Sequence, residues 1–301
     1  MIRIVMTTPA GPRGRLLLDR LHRRGIELDA VLVLTGGFGP PSARPDEGGV
    51  HRLARWPISV VRAARRRINL YRRHHRWLAA RCRRVVPTGE VNSCRLQRDL
   101  QRLAPDYLVL GGGGILRPHI IATAGVGVLN AHPALLPWVR GCGVVGYSLE
   151  KQVALGATVH FVDAGIDTGP VIARRLLPAP AGPAALRDLE TAVDELAAEL
   201  MVDVVEAIRR GERPAGVPHD ERFPLHLLAS AAVDRPAHEE LAGSGRAAAL
   251  FETWSPLAVD AAWTLPAGPV TVAGSPGEPV TGFPVVVPDT HRADAAHGRD
   301  R

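Results

Sequence analysis

Cysteine is scarce in this chain: Cys82, Cys94 and Cys142 are the only three among 301 residues. Their number and spacing suit neither a disulfide framework nor a zinc-ligand pattern, so free thiols in a reducing cytoplasm are the expectation. No apolar run approaches the ~18 residues that a membrane span needs. The chain opens on a strand-like pattern where a secretory signal would show a charged and then an apolar region. Lysine is almost missing, since of the 37 basic residues only Lys151 is lysine. That bias runs through the whole chain, which makes arginine content weak evidence for phosphate binding. Aromatic residues are only 4%, and after Pro57 only Tyr71 and Trp77 interleave with the arginines up to Arg84, which argues against a stacking platform for single-stranded nucleic acid.

Positive charge, by contrast, is concentrated. The formal net charge is +7, yet residues 51–84 hold twelve arginines and no acid, so without them the chain would carry −5. Apolar spacing through Val61, Ala64, Ile68, Tyr71, His75 and Leu78 predicts a helix there, with Arg62, Arg66, Arg67, Arg72, Arg73 and Arg76 mostly on its other faces. Such a basic amphipathic helix serves an anionic partner or is a solvated face over a core stripe; both readings stand.

Around this insertion the periodicity is that of an α/β protein. Ile2–Met6, Leu28–Leu34, Arg84–Val86, Asp106–Leu110, Val126–Asn130 and Ala157–Val162 read as strands, with Val171–Leu177 as an edge strand. Helical spacing follows the first strand through Leu16–Leu18 and Leu21, and recurs over Ser93–Leu103 and Ala184–Arg210. Strands alternating with helices predict a Rossmann-like, mostly parallel sheet flanked by helices. The pattern is complete by residue 212, so residues 1–212 form the expected catalytic domain with the basic insertion inside it. Residues 213–301 are rich in Ala, Pro and Gly; with two strand-like pieces, Pro269–Ala273 and Pro284–Pro288, they read as a short C-terminal extension of weak β character with a disordered tail.

The informative stretch is Gly125–Gly169. Asn130 and His132 lie two apart where an apolar strand turns polar, so both side chains face the same way at a strand end. Asp167 sits in the sequence Asp163-Ala-Gly-Ile-Asp-Thr-Gly169, whose glycines allow a turn back toward that strand. An amide donor, an imidazole and a carboxylate suit acyl transfer: Asn130 for a developing oxyanion, His132 for proton movement, Asp167 to orient the ring and raise its basicity. Taken singly, each has a plainer role as strand terminus, packed histidine or turn cap. His160 is equally a packed strand histidine or a ligand contact, and Arg140 either orients an anionic acceptor or folds back onto its loop. Upstream, Gly111–Gly114 ends the fourth strand; four glycines permit close backbone approach to a flat ligand or simply make a tight turn.

Taken together, N-x-H-P-x-L-L-P-x-x-R-G followed by G-x-T-V-H-x-V-x-x-x-I-D-T-G-P resembles the folate-dependent formyltransferase family, over about Leu108–Ile172. The resemblance implies an N-formyltransferase that moves a formyl group from 10-formyltetrahydrofolate to an amine, with no metal. It implies Asn130, His132 and Asp167 as catalytic residues, with a protonated His132 beside Asn130 at the oxyanion, and Gly111, Gly114, Ile115, Leu116, Val162 and Asp163 at the folate. Arg140 and His160 then fall on the acceptor side. The expected acceptor is a small, anionic amine such as a nucleotide sugar; methionyl-tRNA is the alternative. A reading of another class is a formyltransferase-like binding protein that has lost chemistry and uses its arginine helix.

Overall fold

The computed structural model describes residues 2–34, 77–178, 180, 182–219, 223–253 and 270–272. Ile4–Thr8 (β1) is buried at all five positions, the continuous pattern of a strand covered on both faces. Helix α1, Pro12–Arg23, starts with proline at its first position, where a missing amide costs nothing. It buries Leu17, Leu18 and Leu21 and carries Arg20, His22 and Arg23 in its last turn, opposite the negative end of its dipole. Strands β2 (Ala30–Leu34) and β3 (Val85–Thr88) follow, then helix α2 (Cys94–Leu103), capped by the Ser93 side chain accepting from the Leu96 amide. Next come β4 (Tyr107–Leu110), α3 (Pro118–Ile121), β5 (Gly127–His132), β6 (Arg140–Gly141) and α4 (Val144–Glu150). The chain continues through β7 (Gly156–Phe161), β8 (Val171–Leu176), α5 (Leu186–Arg209), β9 (Leu225–His226), α6 (Leu228–Gly243), α7 (Arg246–Thr253) and β10 (Val270–Val272).

The main sheet runs β10-β8-β7-β5-β4-β1-β2-β3, and every pair is parallel except the two made by β7. This is the expected Rossmann-like α/β architecture. One face, with Ile4, Met6, Leu129 and Val159, packs on α1 and α5; the other, with Val5, Leu108 and Val128, packs on Leu96 and Leu100 of α2. Because β1 lies between β4 and β2, the sheet has its switch point at the carboxyl ends of β1 and β4, where open α/β sheets hold ligands.

Two expectations need correction. The strand read as an edge, β8, is interior, since β10 pairs beside it in register Val270↔Arg174. The region after Glu212, read as weakly β, has β9 and, within the strand-like piece Pro269–Ala273, β10, but it also carries the helices α6 and α7. Ala242, Ala247 and Leu250 are buried there against Val145, Leu149, Leu155, Leu186, Leu189 and Val193. Their signal was faint because alanine contributes little to a hydrophobic stripe and Pro236 interrupts the helical pattern. Most of the arginine segment, residues 51–76, and the strand-like piece Pro284–Pro288 lie outside the described residues. At the segment's end, Arg81 stacks on Trp77 at 4.1 Å and donates to Asp19, and Arg83 pairs with Glu27 at 2.9 Å.

Candidate active site

Strand β5 carries Asn130 and His132 on the same face, and β7 sets His160 opposite Asn130 and Thr158 opposite His132. Since β7 runs against β5, the segment after β7 leaves the sheet at the wrong end to meet His132 directly. It must fold back. Asp163 drives the fold: its Oδ1 accepts from the Gly165 amide at 3.1 Å and from the Thr168 hydroxyl at 2.6 Å. A side chain at Gly169 would stand 1.9 Å from the Phe161 carbonyl, so the return passes hard against the strand. Asp167 then takes a left-handed backbone conformation (φ 53°), one that aspartate tolerates better than most residues. Its carboxylate reaches His132 Nδ1 at 3.4 Å through Oδ2 and His160 Nε2 at 3.6 Å through Oδ1.

The structure therefore gathers Asn130, His132, His160 and Asp167. His160 Nδ1 lies 2.7 Å from the Phe161 carbonyl, which can only accept, so that nitrogen carries the proton. In the neutral ring the other nitrogen accepts, 3.1 Å from Asn130 Nδ2. His160 is thus the residue that orients the Asn130 amide, and one amide N–H remains to point elsewhere.

His132 is buried and faces an acceptor on each side: Asp167 at Nδ1 and the Val139 carbonyl at Nε2, 3.0 Å away. That carbonyl is held by a loop strapped to the sheet. The Thr158 hydroxyl donates to the Ala134 carbonyl and accepts from the Leu136 amide, while Arg174 Nε donates to the Leu136 carbonyl. Burial, the strongest influence on the His132 ring, outweighs the attraction of Asp167 and lowers its pKa below the ordinary 6.5; His160 and Arg13 push the same way. So the expected rise in basicity from Asp167, and the protonated ring expected with it, are overridden by desolvation. For Asp167 burial again acts most strongly, raising the pKa. The His132 and His160 imidazoles and the Gly141 amide, 2.9 Å from Oδ2, outweigh it and hold the carboxyl well below the usual range. The pair is an ionised carboxylate beside a neutral ring.

Beside Asn130 a cleft is lined by Gly111, Gly112 and Ala131, with the ion pair Arg13–Asp194 (2.9 Å) among its walls. The Gly111 amide donates to the Thr7 carbonyl and its own carbonyl accepts from Thr8 Oγ1, which pins β4 to β1 at the switch point. Gly112, Gly113 and Gly114 follow at φ 83°, 135° and 86°, a run of left-handed residues that only glycine adopts readily. Ile115 is 59% exposed beyond them. Asn92 staples the far side, donating to the Ile115 carbonyl and accepting from the Arg117 amide.

The remaining predicted positions divide differently. Leu116 is buried in the core against α2, and Val162 packs beside it. Asp163 serves the turn described above. Arg140 is buried and donates to the Phe223 carbonyl at 2.8 Å through Nη2, which is the folding-back alternative, onto a segment far along the chain. Sequence reasoning missed the Gly141 amide, the Val139 carbonyl and Arg13. Gly141 had left a trace, as the glycine that closes the first site motif; its φ of 95° now accounts for it. Among the described residues no group of three or more His, Cys, Asp or Glu could hold a metal ion, and no helix is long and apolar enough to cross a membrane.

The formyl transferase family model matches residues 3–205. Methionyl-tRNA formyltransferase from Methylacidiphilum infernorum is 32% identical over 204 residues, 61% of this chain and 58% of that protein. Chloroplastic phosphoribosylglycinamide formyltransferase from Vigna unguiculata is 34% identical over 142 residues, 44% of this chain and 45% of the relative. A 4-N formyltransferase from Francisella tularensis shares the fold, with a TM-score of 0.51 at 15% identity, covering 76% of this chain and 77% of that one. The match spans 35% of the Roseiflexus methionyl-tRNA formyltransferase and 58% of the Methylacidiphilum protein, thus only part of the curated relatives' length.

Proposed function

This chain belongs to the formyl transferase family, and from that premise we propose that it transfers a formyl group from 10-formyltetrahydrofolate to the amine of a small anionic acceptor. The observation that carries this reading is the convergence of Asn130, His132 and Asp167 on one sheet face beside the glycine cleft. The folate supplies an activated formyl carbon. Within Gly111–Gly114, the left-handed, side-chain-free backbone of Gly112–Gly114 fits such a flat donor by allowing close approach, and exposed Ile115 adds an apolar contact.

Within this reading, the free N–H of Asn130 lies where negative charge develops on the formyl oxygen, with its amide plane fixed by His160 so that little reorganisation is needed. Neutral His132 has one N–H, taken by Asp167 or by the Val139 carbonyl, and stands between the two. As the formyl carbon bonds to the acceptor nitrogen and its bond to the folate nitrogen breaks, ionised Asp167 assists, through water, the passage of the amine's proton to that leaving nitrogen. The Arg13–Asp194 pair puts a guanidinium at the cleft, suited to an anionic acceptor.

A pH prediction follows. With its pKa lowered from 6.5, His132 is neutral throughout the range above that value, so transfer is expected to be flat from pH 7 to 8. Activity should fall only at more acid pH, as the ring gains its proton. The kcat profile of wild type and His132→Gln tests this. A rate that climbs on acidification from pH 8 to pH 6, with that limb lost in the variant, would make the imidazolium the active form and overturn the assignment.

The acceptor is read out by supplying the enzyme and 10-formyltetrahydrofolate with phosphoribosylglycinamide, a nucleotide-linked amino sugar and methionyl-tRNA in parallel, and following the formylated product by mass. The small-molecule arms are expected to respond. A second reading, methionyl-tRNA, is favoured by the extent of the Methylacidiphilum match; formylation of the tRNA alone would establish it. No product in any arm would favour the binding-protein reading.

A further inference from the structure

The Gly141 amide bonded to Asp167 belongs to a short strand with a second side. Strand β6 pairs in parallel with β9, Arg140↔Leu225 and Gly141↔His226, and the Cys142 amide donates to the His226 carbonyl at 2.8 Å. The approach is close: a side chain at Gly141 would stand 2.0 Å from the His226 carbonyl oxygen. Three anchors hold β9 in place. Arg140 donates to the Phe223 carbonyl through Nε and Nη2, at 3.2 and 2.8 Å. The His226 ring lies flat on Tyr147 of α4, with centroids 3.6 Å apart and planes 18° apart. Tyr147 in turn donates to Asp234 of α6 and meets His238 edge-on at 4.6 Å, while His238 Nε2 reaches Glu150 at 3.1 Å. Gly146 makes room for that helix, since a side chain there would stand 2.2 Å from His238 Nδ1. Residues 223–238 thus seat on α4 and press β6 from the side opposite Asp167.

We infer that Arg140 and the segment Phe223–His226 are positioning elements of the active site: by clamping β6, they keep the Gly141 amide on Asp167 and so fix where that carboxylate meets His132. This rests on the reading of Asp167 and His132 as catalytic. It gives Arg140 a role other than binding the acceptor. A single hydrogen bond is worth little net when water can replace it, but a bond to a buried carboxylate is stronger, and here it sets an angle on which proton transfer depends. The segment reaches the reaction only through Gly141; it touches no reacting atom.

The test uses the full chain without substrate. In 15N-labelled protein, Arg140→Ala is expected to speed exchange of the Gly141 amide about tenfold, the size of effect of losing ~1.4 kcal/mol of local protection. It should also move the His132 ring-nitrogen resonances. Arg140→Lys, which can still donate to one carbonyl, should restore both in part. His226→Ala, which removes the stack on Tyr147 and leaves Arg140 in place, should act in the same direction and serves if Arg140→Ala does not fold. A folded variant with wild-type Gly141 exchange and unshifted His132 resonances would overturn the proposal. Turnover of Asp167→Asn separates the two readings. Full activity in that variant sinks the catalytic assignment, whatever the resonances show, whereas inactive Asp167→Asn with an unmoved His132 in Arg140→Ala sinks only the clamp.

Discussion

Asn130→Ala is expected to lower kcat by about 10²–10³-fold, the usual cost of one preorganised oxyanion donor, with a melting temperature close to wild type. The geometry explains both halves. Asn130 spends one N–H on His160 and keeps the other for the formyl oxygen, so the variant loses a donor aimed where charge develops. The side chain is only partly buried beside the cleft, so its removal opens little core. Asp167→Asn is the stricter companion. Asparagine tolerates the left-handed backbone at φ 53° and can still accept from the Gly141 amide, yet it has no charge to take up a proton. A fall of at least the same size is expected, as it is for His132→Ala, which empties the space between Asp167 and Val139. These measurements use whichever acceptor the parallel assay identifies. Near-wild-type kcat in any of the three would remove that residue from the mechanism.

Cutting the chain after Arg210 is expected to abolish a soluble, cooperatively melting fold. From the sequence alone the opposite follows, because the α/β pattern is complete by then and the remainder shows little apolar periodicity. The structure reverses it. Leu149, Leu155, Leu186, Leu189 and Val193 share a buried cluster with Ala242, Ala247 and Leu250. Re-exposing a buried aliphatic side chain costs roughly 1.5–3 kcal/mol, so uncovering even three of them is comparable to a net domain stability of about 5–15 kcal/mol. The cut also strips the Phe223 carbonyl from buried Arg140 and the α6 partners from Tyr147. Solubility and thermal melting of residues 1–210 beside the full chain decide the matter. A soluble fragment with a cooperative transition near that of the full chain would show that α6 and α7 cover the core without supporting it.

The basic insertion poses a separate question. Its expected service to an anionic acceptor falls mostly on residues outside the described structure, and Arg81 and Arg83 at its end are engaged with Asp19 and Glu27 of the core. Arg13, on α1 and in the cleft wall, is the guanidinium that the fold brings near Asn130.

How far the site was legible depended on what each residue needs. Asn130 and His132 could be paired from sequence because a strand's two-residue repeat puts both on one face without reference to anything else. Strand existence was legible for a like reason, since Ile4–Met6, Ala30–Leu34 and Tyr107–Val109 are buried on both faces and so read as unbroken apolar runs. Gly111–Gly114 could be seen as a special backbone, because a run of glycine has few other uses. Asp167 was legible through its motif, but its path to His132 was not: that required knowing that β7 is antiparallel and that Asp163 folds the segment back.

What the sequence by itself determined is local and periodic: which segments become strands and helices, which residues share a strand face, and where glycine frees the backbone. Tertiary structure alone decided the protonation of His132, because desolvation depends on what closes over the ring, and the loop that does so is held by Thr158 and Arg174 from two other strands. It alone decided that Arg140 donates to the Phe223 carbonyl, since that partner lies 83 residues along the chain. It alone made helices of the region after Glu212, where alanine-rich segments gain their helical state from the apolar face they cover and not from a stripe of their own.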